Sequence, residues 1–434
     1  MKVVCVGGGP AGLYFSILMK RQDPSHDITV HERNPAGSTY GWGVTYWAGL
    51  IEKLHVHDTE SARTIGEHSV RWSDGVAHVG GVRTVHHGDE GFGISRRTLL
   101  DILAERARAL GVRVEFESEI TDLAQLPDAD LVVAGDGVNS ALREQHAAHF
   151  GPAAAPGRNV YSWLGTTKVF DSFTFAFVDT PHGWIWCYGY GFDADRSTFI
   201  VECSPATWAG LGLDRATEAE GLAVLEALFA EPLEGHRLIG REHADGTAQW
   251  LTFRTLTNRA WSHGRLVLLG DAAHTTHYSI GAGTTLALED AIALADALRG
   301  SGPGSGGPGS SGPGGAAELP SALARYERER RAALLSVQSA ARYSAQWYEN
   351  LPRYLGLPPR QMFALLGQRH SPLLPHLPPR LYYRLDQLAG RLGPLRTLKR
   401  WLGPRLARTV HARRAIPASR QPMAEQPAEV SRAD

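Results

Sequence analysis

Residues 3–13 read Val3-Val4-Cys5-Val6-Gly7-Gly8-Gly9-Pro10-Ala11-Gly12-Leu13. A run of mostly β-preferring apolar residues passes straight into a glycine-rich turn, and a helical pattern opens behind it. Gly7, Gly9 and Gly12 form G-x-G-x-x-G between a strand and a helix, the context in which that spacing has a mechanism. Gly7 permits the tight turn, Gly9 lets backbone amides approach a pyrophosphate, and Gly12 lets the helix pack close to the strand. Pro10 and Ala11 sit at the start of that helix, whose N-terminus supplies positive potential. A second strand, Ile28-Thr29-Val30-His31, ends in Glu32-Arg33, where Glu32 is the acid expected on the ribose hydroxyls.

The remaining composition narrows the class. A chain of 434 residues, 43% hydrophobic and with a net charge of −1, holds two or three domains or one large composite. Nothing in that balance argues for disorder or for a nucleic-acid partner. The three cysteines, Cys5, Cys187 and Cys203, are scattered without a C-x-x-C pair, which fits a reducing compartment and no metal site. Cys5 reads as a small core residue. The nucleotide motif stands at the N-terminus itself, leaving no place for a signal peptide, and no apolar run reaches the roughly 20 residues of a membrane span. A soluble, cytoplasmic protein is expected.

Along the chain, Leu13 to Lys20 continue the first helix. After Asn34-Pro35-Ala36-Gly37-Ser38, a loop, comes Gly41-Trp42-Gly43-Val44, a tryptophan between two glycines beside the nucleotide site. Residues 50–92 suggest short strands rich in Val and His. Ser95 caps a helix that opens with Arg96, and Gly111 to Phe116 follow as a strand. Asp130-Leu131-Val132-Val133-Ala134 is a buried strand ending on Gly135-Asp136-Gly137, which puts Asp136 at the carboxyl edge of a parallel sheet, where ligands bind. Over residues 158–205 the pattern changes to short alternating strands (Thr166–Phe170, Phe173–Phe177, Trp184–Tyr190, Thr198–Cys203), which predict an inserted antiparallel sheet. Trp184, Trp186, Tyr188 and Tyr190 alternate and share one face, either half-buried packing or an aromatic wall for a flat substrate. Leu266-Val267-Leu268-Leu269 is another apolar strand ending on Gly270-Asp271-Ala272-Ala273-His274, with Gly281-Ala282-Gly283-Thr284 opening a helix from about Leu286 to Leu298. Residues 300–316 are a flexible Gly/Ser/Pro-rich loop, 317–414 a helical region that turns basic and amphipathic from Arg380, and 415–434 a disordered tail.

Three nucleotide-edge motifs in this order resemble the single-component, FAD-dependent aromatic hydroxylases (group A flavoprotein monooxygenases) over roughly residues 1–350. Gly7, Gly9, Gly12 and Glu32 match the adenosine-diphosphate motif. Gly135-Asp136-Gly137 with Ser140 and Arg143 matches the second motif, and Gly270 to His274 with Gly281 and Gly283 matches the third. Arg96 falls where the family has an arginine heading a helix that contacts FAD. His277-Tyr278-Ser279-Ile280 replaces the family's prolines, and Thr284 its asparagine. Together with Gly41-Trp42-Gly43-Val44 and Leu164 to Phe175, these residues resemble the subgroup of salicylyl-CoA and 2-aminobenzoyl-CoA hydroxylases and the violacein-pathway tryptophan hydroxylase.

The resemblance implies an α/β fold: a Rossmann-like FAD-binding domain (residues 1–157 and 262–299), an inserted antiparallel β-sheet substrate domain (158–261) and C-terminal helices. It implies FAD as cofactor, NAD(P)H as transient reductant and O2 as co-substrate. Oxygen would add at the flavin C4a, and the resulting C4a-hydroperoxyflavin would hydroxylate an electron-rich ring, in specialised metabolism or aromatic degradation. The implied cofactor-binding residues are Gly7, Gly9, Pro10, Ala11, Gly12, Glu32, Arg33, Gly43, Arg96, Asp136, Asp271, Gly281, Ala282, Gly283 and Thr284. His277 and Tyr278 are the candidate catalytic residues, and Trp42, Trp184, Trp186 and Tyr188 the candidate substrate contacts. The expected partner is a small aromatic molecule, free or as a CoA or carrier-protein thioester, met by a monomer or homodimer with no membrane or nucleic acid. The alternatives are a non-catalytic flavin-binding protein and a halogenase or reductase of the same fold. Trp184-Ile185-Trp186 starts like the halogenase W-x-W-x-I-P motif but continues Cys187-Tyr188.

Overall fold

The computed structural model describes residues 1–39, 41–240, 248–299 and 315–391. Three apolar runs of the sequence, Lys2–Val6, Leu131–Ala134 and Leu266–Leu268, lie side by side as parallel strands. Such strands are covered on both faces, which is why they read as unbroken apolar runs rather than alternating ones. Asp27–His31 and Arg113–Glu115 extend the sheet on one side, and the short Ser262–His263 strand closes the other, antiparallel to its neighbour. The Pro10–Gln22 helix is buried nearly all round, packed on the Arg96–Ala109 and Gly283–Leu298 helices. Strand Lys2–Val6 has Asp27–His31 on one side and Leu131–Ala134 on the other, so the topology switches at its carboxyl end. That is where ligands of such sheets bind.

A second sheet of nine strands carries the aromatic-rich segments. Pro152–Thr166, Ser197–Cys203, Gly183–Gly191 and Phe173–Thr180 pair antiparallel in that spatial order. Phe173–Thr180 then pairs in parallel with Val70–Val79, so the sheet is mixed and also takes in Val82–Ser95 and Gly43–Trp47. The Val-rich stretch after residue 70 is therefore two strands, as its composition suggests, but the segment before it is helical: Ala48–His57 and Thr59–Glu67. Asp58 caps the second of these, accepting from Ser61 N–H and paired with Arg21 and Arg106. The strand expected at Thr166–Phe170 lies one segment earlier, at Pro152–Thr166. Thr166 turns the backbone out of the sheet, its hydroxyl accepting from Lys168 N–H at 3.1 Å.

The two faces of this sheet bury different cores. Trp186, Tyr188, Tyr190, Phe175 and Phe177 pack with Trp347, Tyr348 and Tyr354 of the C-terminal helices. Ile185, Cys187, Phe199 and Val201 point the other way, against the Glu218–Leu228 helix and Phe229. The shared face read from the alternation of Trp184, Trp186, Tyr188 and Tyr190 is thus present, with Trp184 at its margin. The Gly315–Glu349 helix crosses from the parallel-sheet core to this aromatic core. Of the Gly/Ser/Pro-rich stretch 300–316, positions 300–314 lie outside the described residues, as do 392–414 and the tail 415–434; the basic C-terminal pattern is described as far as the Pro379–Arg391 helix. No helix among the described residues is long and apolar enough to cross a membrane.

Candidate functional site

The glycine-rich turn and the second motif are built against each other. Gly7 adopts φ +106°, and a Cβ there would meet Gly135 C at 2.6 Å and Asp136 N at 2.8 Å. A Cβ on Gly12 would run into the Gly7 carbonyl. These two glycines are required by close backbone approach, whereas Gly9 and Gly283 face open space, with nothing nearer than 4.0 Å to a Cβ on the first and nothing within 4 Å of one on the second. The third motif joins them from the far side: Gly270, at φ +61°, brings a notional Cβ to 3.2 Å from Ala11.

Two helix N-termini open onto this edge without a side-chain cap, Pro10–Gln22 at Gly9 and Gly283–Leu298 at Ala282. The neighbouring Arg96–Ala109 and Ala141–Gln145 helices are capped by Ser95 and Ser140. Uncapped first-turn amides are donors held ready for an anion. Glu32 braces the turn, its Oε2 accepting from Gly8 N–H at 2.8 Å and its Oε1 from Asn34 N–H and Nδ2 at 2.9 and 2.6 Å. Arg33 is exposed. Asp136 accepts from Ala141 N–H through Oδ2, while its Oδ1 is buried with no partner among the described residues, and burial raises the carboxyl pKa. Asp271 keeps an exposed surface, yet the protein packed around its carboxyl raises its pKa by desolvation, against the opposing influence of His274 and Arg96. The orphaned Asp136 oxygen, the open glycines and the two uncapped helix ends fit a bound dinucleotide of the FAD type.

A second group of predicted residues gathers beside the first. Arg96 N–H donates to the Trp42 carbonyl at 2.9 Å, and a Cβ on Gly281 would meet Thr45 Oγ1 at 2.5 Å. Gly281, Ala282, Gly283 and Thr284 thus lie along the strand that begins at Gly43. Trp42 covers Gly165 and donates its Nε1–H to the Trp163 carbonyl at 3.2 Å. Gly43 is held by Thr198 and Tyr190, and Phe192 fills the space a side chain would need.

The third group forms around a residue that no sequence motif marks. Glu202, 1% exposed in strand Ser197–Cys203, accepts from Asn159 Nδ2 at 2.7 Å on Oε1. Its Oε2 accepts from both Tyr278 and Tyr188, at 2.8 and 3.2 Å. Burial pushes the Glu202 carboxyl up to about 7 despite those hydrogen bonds. Tyr278 is stacked by His277 and packed against Tyr161, both with centroids at 4.4 Å. His277 is paired with Ser279 at 2.9 Å, and burial lowers its pKa to about 4, so the imidazole is neutral near pH 7. Of the proposed aromatic contacts, Tyr188 meets this group, whereas Trp186 lies flat on Tyr348 at 5.8 Å under the C-terminal helices and Trp184 packs at the edge of the same core. The one available signal for Glu202 was a single charged residue in an otherwise uncharged strand sequence, Ser197-Thr198-Phe199-Ile200-Val201-Glu202-Cys203.

Comparison with known proteins places these features among relatives. Residues 48–310 match the family described as FAD binding domain. The chain is 39% identical over 363 residues to salicyloyl-CoA 5-hydroxylase of a Streptomyces species, covering 82% of this chain and 66% of that protein, so it spans just under two thirds of the relative's length. It is 37% identical over 353 residues to 3-hydroxy-4-methyl-anthranilyl-[aryl-carrier protein] 5-monooxygenase of Streptosporangium sibiricum, covering 81% of this chain and 90% of the relative. Among solved structures, 2-methyl-3-hydroxypyridine-5-carboxylic acid oxygenase superposes with a TM-score of 0.62 at 20% identity, over 82% of this chain and 92% of that one, a likeness of fold.

Proposed function

This chain belongs to the FAD binding domain family, and from that premise we propose that it is an NAD(P)H- and O2-dependent flavoprotein monooxygenase whose substrate is a hydroxy- or amino-substituted aromatic ring carried as a CoA or carrier-protein thioester. The observation that carries the reading is the joint placement of three glycine turns at one topological switch point, with two uncapped helix N-termini beside them.

In this reading Gly7, Gly9, Pro10, Ala11 and Gly12 bind the pyrophosphate through backbone amides, and Glu32 takes the ribose while bracing Gly8. Arg33 and Arg96 add positive charge, and Asp136 and Asp271 accept hydrogen bonds from the cofactor's chain. Gly281, Ala282, Gly283 and Thr284 present a helix N-terminus to the negatively charged edge of the ring system, a fixed dipole needing no reorganisation. Bound FAD supplies the activation of oxygen, with NAD(P)H visiting transiently as reductant. Gly43 and Trp42 hold the strand that faces this helix, and Tyr278 and Tyr188 border the substrate ring. The thioester class is supported by the two relatives, both named for thioester-carried acids. A halogenase is less well supported, because Trp186 is buried beneath Tyr348 and the strand runs on as Cys187-Tyr188.

The test is aerobic oxidation of NADH and NADPH by the FAD-loaded protein, with benzoyl-CoA thioesters bearing hydroxyl or amino groups, the free acids and indoles. Stimulation by a thioester, with product heavier by one oxygen, is expected. Stimulation by free acids or indoles alone overturns the thioester assignment, and a protein that stays colourless in excess FAD overturns the whole reading.

A further inference from the structure

Glu202 is buried in a largely aromatic sheet face, with no cation paired to it among the described residues. Asn159 and Tyr161 face it from one neighbouring strand and Tyr188 from the other. Tyr278, stacked by His277, faces it from the turn after the third motif, and Tyr348 and Glu349 from the long helix. Glu349 is itself turned to Arg158, whose N–H it accepts at 3.0 Å. Among the described residues no Lys, Arg or His forms an ion pair with Glu202. A carboxyl in such a place carries a heavy desolvation penalty as an anion. A glutamine would offer both tyrosines the same acceptor without that penalty, so packing alone does not account for an ionisable group.

The hydrogen-bond directions suggest what does. Both tyrosine hydroxyls give their protons to the same oxygen, Oε2, and Tyr278 Oη, which also neighbours Tyr188, keeps lone-pair capacity to accept. Tyr278 is only half-buried and stands three residues before the turn at Gly281.

We propose that Glu202 receives, through Tyr278, the proton of a ring hydroxyl group of the substrate. This rests on the aromatic hydroxylation reading. The hydroxyl's O–H bond breaks as a new bond forms to Tyr278 Oη. The tyrosine's own proton passes to Glu202 Oε2, leaving the tyrosine unchanged, the carboxylate neutral and the negative charge on the ring. An electron-richer ring is the better partner for electrophilic oxygen transfer. Return of the proton along the same path after hydroxylation restores the carboxylate. Tyr278 is the residue that touches substrate, and Glu202 acts through it as a positioning and proton-holding residue. Its elevated pKa, about 7, brings it closer to a phenol than an ordinary carboxylate comes.

The experiment uses FAD-loaded wild type, Glu202→Gln, Glu202→Asp, Tyr278→Phe and the Glu202→Gln/Tyr278→Phe double variant, with salicyloyl-CoA as probe and flavin content per chain recorded for each. Wild type should show kcat rising with pH through about 7. Glu202→Gln should lose about 100-fold in kcat with KM within about threefold, and lose that limb of the profile. Glu202→Asp should regain part of both, and the double variant should fall little further than either single change. A Glu202→Gln enzyme with wild-type rate and profile overturns the proposal, as does an additive double variant. If Glu202→Gln does not fold, the half-buried Tyr278→Phe carries the same expectations. Failure of wild type to hydroxylate salicyloyl-CoA strikes the substrate reading instead. The relay is then read without substrate, from the infrared band of the protonated carboxyl. That band should be absent in Glu202→Gln and should persist to higher pH in Tyr278→Phe, which removes a donor to the anion. An unchanged midpoint in Tyr278→Phe overturns the coupling.

Discussion

His274 places its Nε2 2.8 Å from Asp290 Oδ2, and Arg330 Nε holds the other oxygen of that carboxylate at 2.7 Å. All three are buried, and His274 lies flat on Trp261, with Arg331 on the indole. Burial works to raise the Asp290 pKa, but His274 and Arg330 together carry it below the ordinary carboxylate value. The arrangement locks the third motif to the Gly283–Leu298 and Gly315–Glu349 helices. Asp290→Ala should destabilise the protein by about 3–5 kcal/mol, because it leaves Arg330 buried with only the longer Glu289 contact at 3.5 Å. Asp290→Asn, which keeps acceptor and shape, should cost less. Urea denaturation of the FAD-loaded protein distinguishes the two.

Gly7→Ala combines a left-handed backbone with a collision into the Gly135–Asp136 peptide. The strain alone is about 1–3 kcal/mol. The same turn carries the pyrophosphate amides, so the variant should purify with less flavin per chain than wild type. Wild-type occupancy, measured from visible absorbance against protein concentration, would contradict the assignment of this turn.

Glu32→Ala removes the acceptor of Gly8 N–H and of both Asn34 donors. Hydrogen bonds to a charged group are each worth about 1.5–3 kcal/mol, and a tenfold affinity change is about 1.4 kcal/mol. With the turn unbraced and the ribose acceptor gone, the dissociation constant for FAD should rise by about 10- to 100-fold, and the urea midpoint of the FAD-free protein should fall as well, since the three internal hydrogen bonds are lost there too. Equilibrium titration of the FAD-free variant with FAD measures the first.

Glu202 also makes a prediction about stability against pH. Its folded pKa, about 7, stands above the ordinary value, so the carboxyl favours the fold when protonated and opposes it once ionised. The stabilisation is complete below the ordinary glutamate range and is lost as pH rises to about 7. Glu202→Gln should therefore gain stability relative to wild type on going from about pH 4.5 to pH 8, by about 3 kcal/mol. Asn159 must turn its amide over to meet the new NH2. Denaturation midpoints across that range test the sign, and a relative stability that falls with pH would contradict it.

The parallel sheet was legible because its signals are local. Gly7 and Gly270, both at positive φ, directly follow the apolar runs of their strands, so run and turn stand in consecutive letters. The helices over residues 48–67 were not, since the second owes its start to Asp58, whose partners Arg21 and Arg106 are 37 and 48 residues away. Glu202 was hidden for the same reason: Tyr188 and Tyr278 reach it from 14 and 76 residues away. The alternation of Trp184 to Tyr190 gave their common face correctly, but not that the C-terminal helices would cover Trp186.

The Gly315–Glu349 helix, about 50 Å long at 1.5 Å per residue, touches the parallel-sheet core and the aromatic core in turn. Tyr326 reaches the Leu268 carbonyl, Arg330 reaches Asp290, Ser344 reaches Ser279 at 2.7 Å, and Trp347 and Tyr348 enter the aromatic core. A rod gripped at so many heights cannot let go at one end alone. The two sheets should melt together in a single calorimetric transition, and a substituent pressing on Tyr348 should be felt at Asp290 as strain along a shared lever.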